Sequence, residues 1–242
     1  MIDPHKNMNP YDHWLDHIKK GQKQLAVLVD PDKCNPEHVP ELLRHLPAET
    51  THIFVGGSTV APGQTDALIS VIKSQANIAV WLFPGDEDQI TPHADALLFL
   101  SLVSGDNPEY LIRQQVRAAA KLRNIDLFTI ATGYLLIDGG RPSAVARVTQ
   151  TEPLSPLDLE KILNCAMAAQ YMGAEALYLE AGSGAINPVS AQIIQCIKSH
   201  IDLPLIVGGG LRQKEQMKNA WTAGADMIVV GTAIEEVLSL TQ

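Results

Sequence analysis

Residues 204–233 read PLIVGGGLRQKEQMKNAWTAGADMIVVGTA. A run of apolar residues ends in three glycines, a helical segment Gln213–Ala223 follows, and a second apolar run ends in VVGTA. Neither run alternates. Each is almost continuously apolar, as a parallel strand covered on both faces must be. Two such strands with a helix between them make a parallel β–α–β unit.

The same unit recurs toward the N-terminus. LAVLVD (25–30), HIFVGG (52–57), IAVWLF (78–83), ALLFLSLV (96–103), DLFTIATGY (126–134) and ALYLEAG (176–182) bring the apolar runs to eight. Helical patterns cover Pro36–Leu46, Gly63–Gln75, Pro108–Arg123, Pro156–Met172 and Pro188–Ser199. Several open on proline or a capping residue, as helix starts do. Eight strand–helix units in 242 residues fit an α/β chain folded as a (β/α)8 TIM barrel, which typically takes ~250 residues. A doubly wound sheet would use fewer strands and place one glycine turn after the first. Here glycine turns follow strands two, six, seven and eight. Nothing marks a linker, so residues 1–242 read as one barrel domain. Asn9–Lys20 reads as an extra N-terminal helix. Between Pro84 and Asp95 there is too little chain for a turn, a helix and a turn, so the third helix is expected to be absent or irregular. After strand five the chain is long, and SAVARVTQT (143–151) alternates like an extra strand.

Composition narrows the function. With 46% hydrophobic and 19% charged residues the chain is not a disordered one. A net charge of −9 argues against non-specific nucleic-acid binding, which needs Lys and Arg on phosphates. The N-terminal MIDPHKNMNPYDHWLDH has no apolar core of a leader, and IAVWLF and ALLFL fall far short of the ~20 residues that span a bilayer. Cys34, Cys165 and Cys196 form no CxxC pair. These features suit a cytoplasmic protein with at most peripheral membrane contact.

In a TIM barrel the C-terminal strand ends carry the chemistry. Strands seven and eight end in glycine turns at Gly209, Gly210 and Gly231–Thr232, and strand six in Gly182–Ser183–Gly184. Successive backbone N–H groups in such turns cradle phosphate oxygens; tight turns alone also use glycine. Asp30 and Ser58 are hard oxygen ligands at neighbouring strand ends, of the kind Mg²⁺ takes; Asp30 also suits a turn before Pro31. Tyr178 and Glu180 end strand six. A carboxylate there serves as general base for a hydroxyl, or as partner of a buried Lys or Arg. His13 and His17 have i,i+4 spacing but no HExxH glutamate, which fits an exposed face. Cys34 has no histidine partner placed by sequence.

Taken together, LVDPDK (28–33), FVGGS (54–58), TGYLLIDGG (132–140), YLEAGSGA (178–185), VGGGLR (207–212) and GADMIVVGTAIEE (224–236) resemble the geranylgeranylglyceryl phosphate synthase family over roughly residues 24–237. The resemblance implies a Mg²⁺-dependent prenyltransferase on a modified barrel without a regular third helix, where a groove takes the prenyl tail. It implies Mg²⁺ at Asp30 and Ser58. It places sn-glycerol 1-phosphate on Tyr178, Leu179, Glu180, Ala181, Gly182, Ser183, Gly184, Gly209, Gly210, Gly231 and Thr232. The donor is geranylgeranyl diphosphate or a related prenyl diphosphate. Members that make heptaprenyl product carry Lys two residues before the metal-binding Asp; here that place is Leu28. DALLFLSLVSG (95–105) and NPEYLI (107–112) resemble the family's second group, archaeal and bacterial, whose members commonly form hexamers. Glu180 is the expected base, with Tyr178 orienting the glycerol. Trp81, Phe83, Phe99 and Leu100 are candidates for the groove lining. Two other barrels compete: a sugar-phosphate isomerase or lyase, and a non-catalytic phosphate- or flavin-binding protein.

Overall fold

The computed structural model describes residues 8–231. Eight strands pair in chain order, all parallel: β1 (Gln24–Val29), β2 (His52–Val55), β3 (Ala79–Leu82), β4 (Ala96–Leu102), β5 (Phe128–Leu136), β6 (Ala176–Glu180), β7 (Leu205–Gly208) and β8 (Met227–Val230). β8 pairs β1 and closes the barrel. The expected (β/α)8 TIM barrel is therefore the fold. Around it lie α1 (Pro10–Lys19), α2 (Val39–His45), α3 (Gln64–Gln75), α4 (Gln114–Leu122), α5 (Ala144–Thr149), α6 (Leu159–Tyr171), α7 (Ala191–Lys198) and α8 (Lys214–Ala223).

Strand parity sorts the core into two layers. Leu25, Val27, Ile53, Val55, Leu177 and Leu179 pack outward against the helices. Ala26, Phe54, Trp81, Leu98, Tyr134, Tyr178, Ile206 and Val229 fill the inside. α1 covers the barrel's floor. Asn9 caps it by accepting the Asp12 N–H at 2.8 Å, Pro10 sits in its first turn, and Trp14 is fully buried edge-on to Trp81 at 5.5 Å. His13 is exposed as expected, but His17 is half-buried, its ring 4.3 Å from that of His13.

After β3 the regular third helix is replaced by a single 3-10 turn, Glu87–Gln89. Here the short Pro84–Asp95 segment behaves as its length demands. One expectation is overturned: SAVARVTQT forms no strand. Ser143 caps α5 by accepting the Ala146 N–H at 3.0 Å, and Gln150, at φ 53°, ends it. The alternation misled because Val145 and Val148, three apart, also share one face of a helix. β5 also runs two residues beyond Tyr134, to Leu136. The Pro108–Arg123 helix opens with a π-helical turn, Glu109–Arg113, before α4.

Candidate active site

One cavity opens at the C-terminal end of the barrel, where Asp30, Ser58, Tyr178, Glu180, Gly209 and Gly231 all line it. β6 supplies the carboxylate. Parity turns Tyr178 and Glu180 inward and Leu179 outward, so Glu180 is buried inside the barrel mouth. Burial raises its pKa to about 7, opposed by the Gly182 N–H and the neighbouring Tyr178 hydroxyl. The Gly182 N–H donates to Glu180 Oε1 at 2.6 Å. No Lys or Arg pairs with Glu180, whose ion-pair role is thereby set aside among the described residues.

Gly208, which ends β7, and Gly209 just beyond it make room for that carboxylate. A side chain on Gly208 would meet Tyr178 Oη and come 2.9 Å from Glu180 Oε2. Gly209 has φ 82°, and a Cβ there would collide with Glu180 Oε1. Tyr178 is fully buried, stacked on Phe83 at 5.0 Å, and its hydroxyl makes no hydrogen bond of normal geometry. Burial keeps that phenol, and Tyr134 beside it at 5.3 Å, well above the usual tyrosine range. Both therefore offer neutral O–H groups.

The acceptor loops converge only in part as expected. Ser183, Gly184, Gly209, Gly210 and Gly231 line the cavity. The Leu179 and Ala181 side chains do not: both lie in the outer layer, because they alternate with Tyr178 and Glu180. The Gly182 N–H is directed at Glu180. Thr232 falls outside the described residues.

The cavity's other wall is apolar. Leu98, Leu100 and Phe83 line it from the inner face, while Leu97 and Phe99, on the alternate positions of β4, line it too. The space thus crosses the rim onto the outer face of β4, beside the place of the reduced third helix. Val145 and Val148 of α5 and Ala118 of α4 complete it. Trp81, an expected lining residue, lies instead on the floor against Trp14.

The profile of the PcrB family matches residues 17–240. This chain belongs to the PcrB family. A Zunongwangia profunda protein named geranylgeranylglyceryl phosphate synthase is 51% identical over 217 residues, covering 90% of this chain and 93% of its own. A Pyrococcus furiosus protein of the same name is 40% identical over 230 residues, covering 93% and 90%. The crystal structure of (S)-3-O-geranylgeranylglyceryl phosphate synthase from Thermoplasma acidophilum, in complex with substrate sn-glycerol-1-phosphate, superposes with a TM-score of 0.86 at 35% identity, covering 94% and 92%. The resemblance read from LVDPDK through VVGTA is borne out by these relatives.

For a PcrB-family protein the donor set at Asp30 and Ser58 fits a hard divalent cation. Both line the one cavity. Gly57 faces the Asp30 carboxylate with a bare Cα, and a Cβ there would collide with Asp30 Oδ1. The Asp32 N–H donates to Oδ1 at 3.1 Å, and Lys33 Nζ lies 3.7 Å from Oδ2. Among the described residues no three His, Cys, Asp or Glu form a ligand cage. Two protein ligands suit an ion that completes its shell with waters and phosphate oxygens, as Mg²⁺ does. Sequence reasoning missed Tyr134, Val145 and Val148 as cavity lining. Ending strand five at Tyr134 hid the first, and reading residues 143–151 as a strand hid the valines.

Proposed function

We propose that this chain, as one barrel domain, is a prenyltransferase. It forms the ether bond between sn-glycerol 1-phosphate and C1 of geranylgeranyl diphosphate or a related prenyl diphosphate. The observation that carries the reading is the continuity of the cavity at the barrel mouth. It joins a buried, near-neutral-pKa carboxylate to glycine loops on one side and to an apolar wall on the other. A polar acceptor and a greasy donor meet only in such a space. Isomerase and flavin readings use the loops but leave that wall without a task.

The acceptor phosphate sits on the N–H groups of Ser183–Gly184, Gly209–Gly210 and Gly231. That fixes the glycerol's free primary hydroxyl beside Glu180 Oε2. As the C1–O bond to diphosphate breaks, the hydroxyl oxygen bonds to C1 and its proton passes to Glu180. Tyr178 supplies a neutral O–H that orients the glycerol. Mg²⁺, when bound at Asp30 and Ser58, neutralises charge on the departing diphosphate. The prenyl tail lies along Phe83, Leu100 and Phe99, and Leu28 lines the same cavity where heptaprenyl-forming members carry lysine.

Among the described residues no helix is long and apolar enough to cross a membrane; cytoplasmic placement is part of the proposed reading. Likeness to the second group supports a homo-oligomer, a hexamer; light scattering at a hexamer's mass tests it. The activity is tested by supplying Mg²⁺, sn-glycerol 1-phosphate and prenyl diphosphates from C10 to C35. An ether product by mass spectrometry with matching diphosphate release supports the reading. Absence of product with every donor overturns it.

A further inference from the structure

The 3-10 turn Glu87–Gln89 stands where a helix would be, and its side chains divide sharply. Glu87 pairs with Arg117 of α4, and Asp88 with Lys121. Lys121 Nζ also donates to the Glu87 carbonyl at 2.9 Å. Just beyond, Thr91 bonds Asp66 of α3. The turn is thereby tied to the helices on both sides. Gln89 alone points inward and is buried, 2% exposed.

There it grips one residue twice. Gln89 Nε2 donates to the Gly57 carbonyl at 2.7 Å, and the Gly57 N–H donates to Gln89 Oε1 at 3.2 Å. The N–H and the carbonyl of Gly57 belong to the two peptide planes that flank its Cα. Holding both fixes φ and ψ of the residue with most rotational freedom in the loop. The next residue is Ser58, and the face of Gly57 abuts Asp30. Gly85, at the start of the same segment, backs the loop closely: a Cβ there would collide with the Gly57 carbonyl and lie 3.0 Å from Ser58 Cα. A buried amide persists only when its donor and acceptor are both satisfied, and here both are satisfied by this one loop residue.

We propose that Gln89 is a positioning residue: it locks Gly57 so that the Ser58 hydroxyl and the Asp30 carboxylate face a common ion. This rests on the reading of Asp30 and Ser58 as the magnesium diphosphate site. The turn replacing the third helix thus does more than leave the groove open; it braces the loop that binds the leaving group.

The test measures binding by calorimetry with two probes, inorganic diphosphate in the presence of Mg²⁺ and sn-glycerol 1-phosphate alone. Gln89→Met keeps the side chain's length and loses both hydrogen bonds. Partners of this kind typically contribute about 10–100-fold to metal affinity. Gln89→Met should weaken magnesium diphosphate by that factor and raise the Mg²⁺ needed for half-maximal turnover, with glycerol phosphate affinity unchanged. Gly85→Ala, whose Cβ would collide with the Gly57 carbonyl and come 3.1 Å from Gln89 Nε2, disturbs the same Gln89–Gly57 contact; it should do the same and serves if Gln89→Met does not fold. Unchanged magnesium diphosphate affinity, or equal weakening of both ligands, overturns the proposal. Asp30→Asn is the control. If it weakens magnesium diphosphate and Gln89→Met does not, the role of Gln89 alone fails. If Asp30→Asn binds as tightly as the wild type, the ion is not at Asp30 and the proposal falls with that assignment.

Discussion

Gly182 donates its backbone N–H to Glu180 Oε1 two residues earlier, at 2.6 Å. The bond pins one oxygen of the carboxylate and leaves Oε2 beside Gly208, which has no side chain to block it. A base held by one oxygen and presented by the other keeps its orientation while it takes up a proton. Burial raises the pKa to about 7, so the charge is held loosely enough to accept one.

Glu180→Gln retains an acceptor for Gly182 and removes the base. kcat should fall about 10²–10⁴-fold, the usual contribution of a positioned base. Affinity for sn-glycerol 1-phosphate should change far less. Steady-state kinetics with calorimetry of the acceptor check this, and normal kcat would remove Glu180 from the mechanism.

The same group sets a pH dependence. Glu180 must be ionised to act, so kcat/KM should rise with pH along a limb centred near 7 and absent from Glu180→Gln. Stability should run the opposite way. The folded-state pKa, about 7, lies above the ordinary 4.5. Glu180 therefore contributes stability in full below pH 4.5 and loses it as pH rises through 7. Glu180→Gln, which never ionises, should gain on the order of 3 kcal/mol over the wild type at pH 8. Chemical denaturation at pH 5 and pH 8 measures the difference.

Gly209 and Gly231 should fail differently. Alanine at Gly209, with φ 82° and Glu180 Oε1 in its path, should depress kcat by displacing the base and lower the melting temperature. The three nearest atoms to a Cβ at Gly231 all belong to Leu28, at 3.7–3.9 Å, an ordinary contact, so folding should change little. The methyl of Gly231→Ala should keep the phosphate from closing on the Gly231 N–H, raising KM for glycerol phosphate about 10–100-fold, as expected when a bond to a charged group is blocked. An unchanged KM in Gly231→Ala would place the phosphate elsewhere.

Acid should attack the barrel from its floor. His52 is buried near His17 and His13, and its pKa falls from 6.5 to about 3, chiefly through burial. Its neutral form contributes stability above pH 6.5 that is lost as pH falls toward 3. Thr51 and His52 Nδ1 share a 2.8 Å hydrogen bond, which His52→Asn keeps within reach of an amide. His52→Asn should shift the acid-unfolding midpoint, followed by circular dichroism, to lower pH.

The strands were legible because each is apolar on both faces and ends in a punctuating glycine. That Asp30, Ser58 and Glu180 line one cavity was legible because strand ends are where this fold opens its pocket. The outward side chains of Leu179 and Ala181 were not legible from the motif, because a contiguous motif ignores the alternation of a strand. Gln89 was hidden for another reason. Within GDEDQ it is one polar residue among several, and only the tertiary approach of the turn to Gly57 distinguishes it. Likewise the helix over residues 144–149 depends on the Ser143 cap more than on the pattern of its valines.

β6 carries two scripts in alternate letters. Leu177 and Leu179 belong to the oily mantle between sheet and helices, while Tyr178 and Glu180 face the cavity. Mutational tolerance along these few positions should therefore oscillate with a period of two. Odd-numbered changes should register in expression and melting, and even-numbered ones in turnover. A one-residue deletion upstream within β6 is the harshest edit of all, since it exchanges the scripts and sends leucine to the substrate and glutamate into oil.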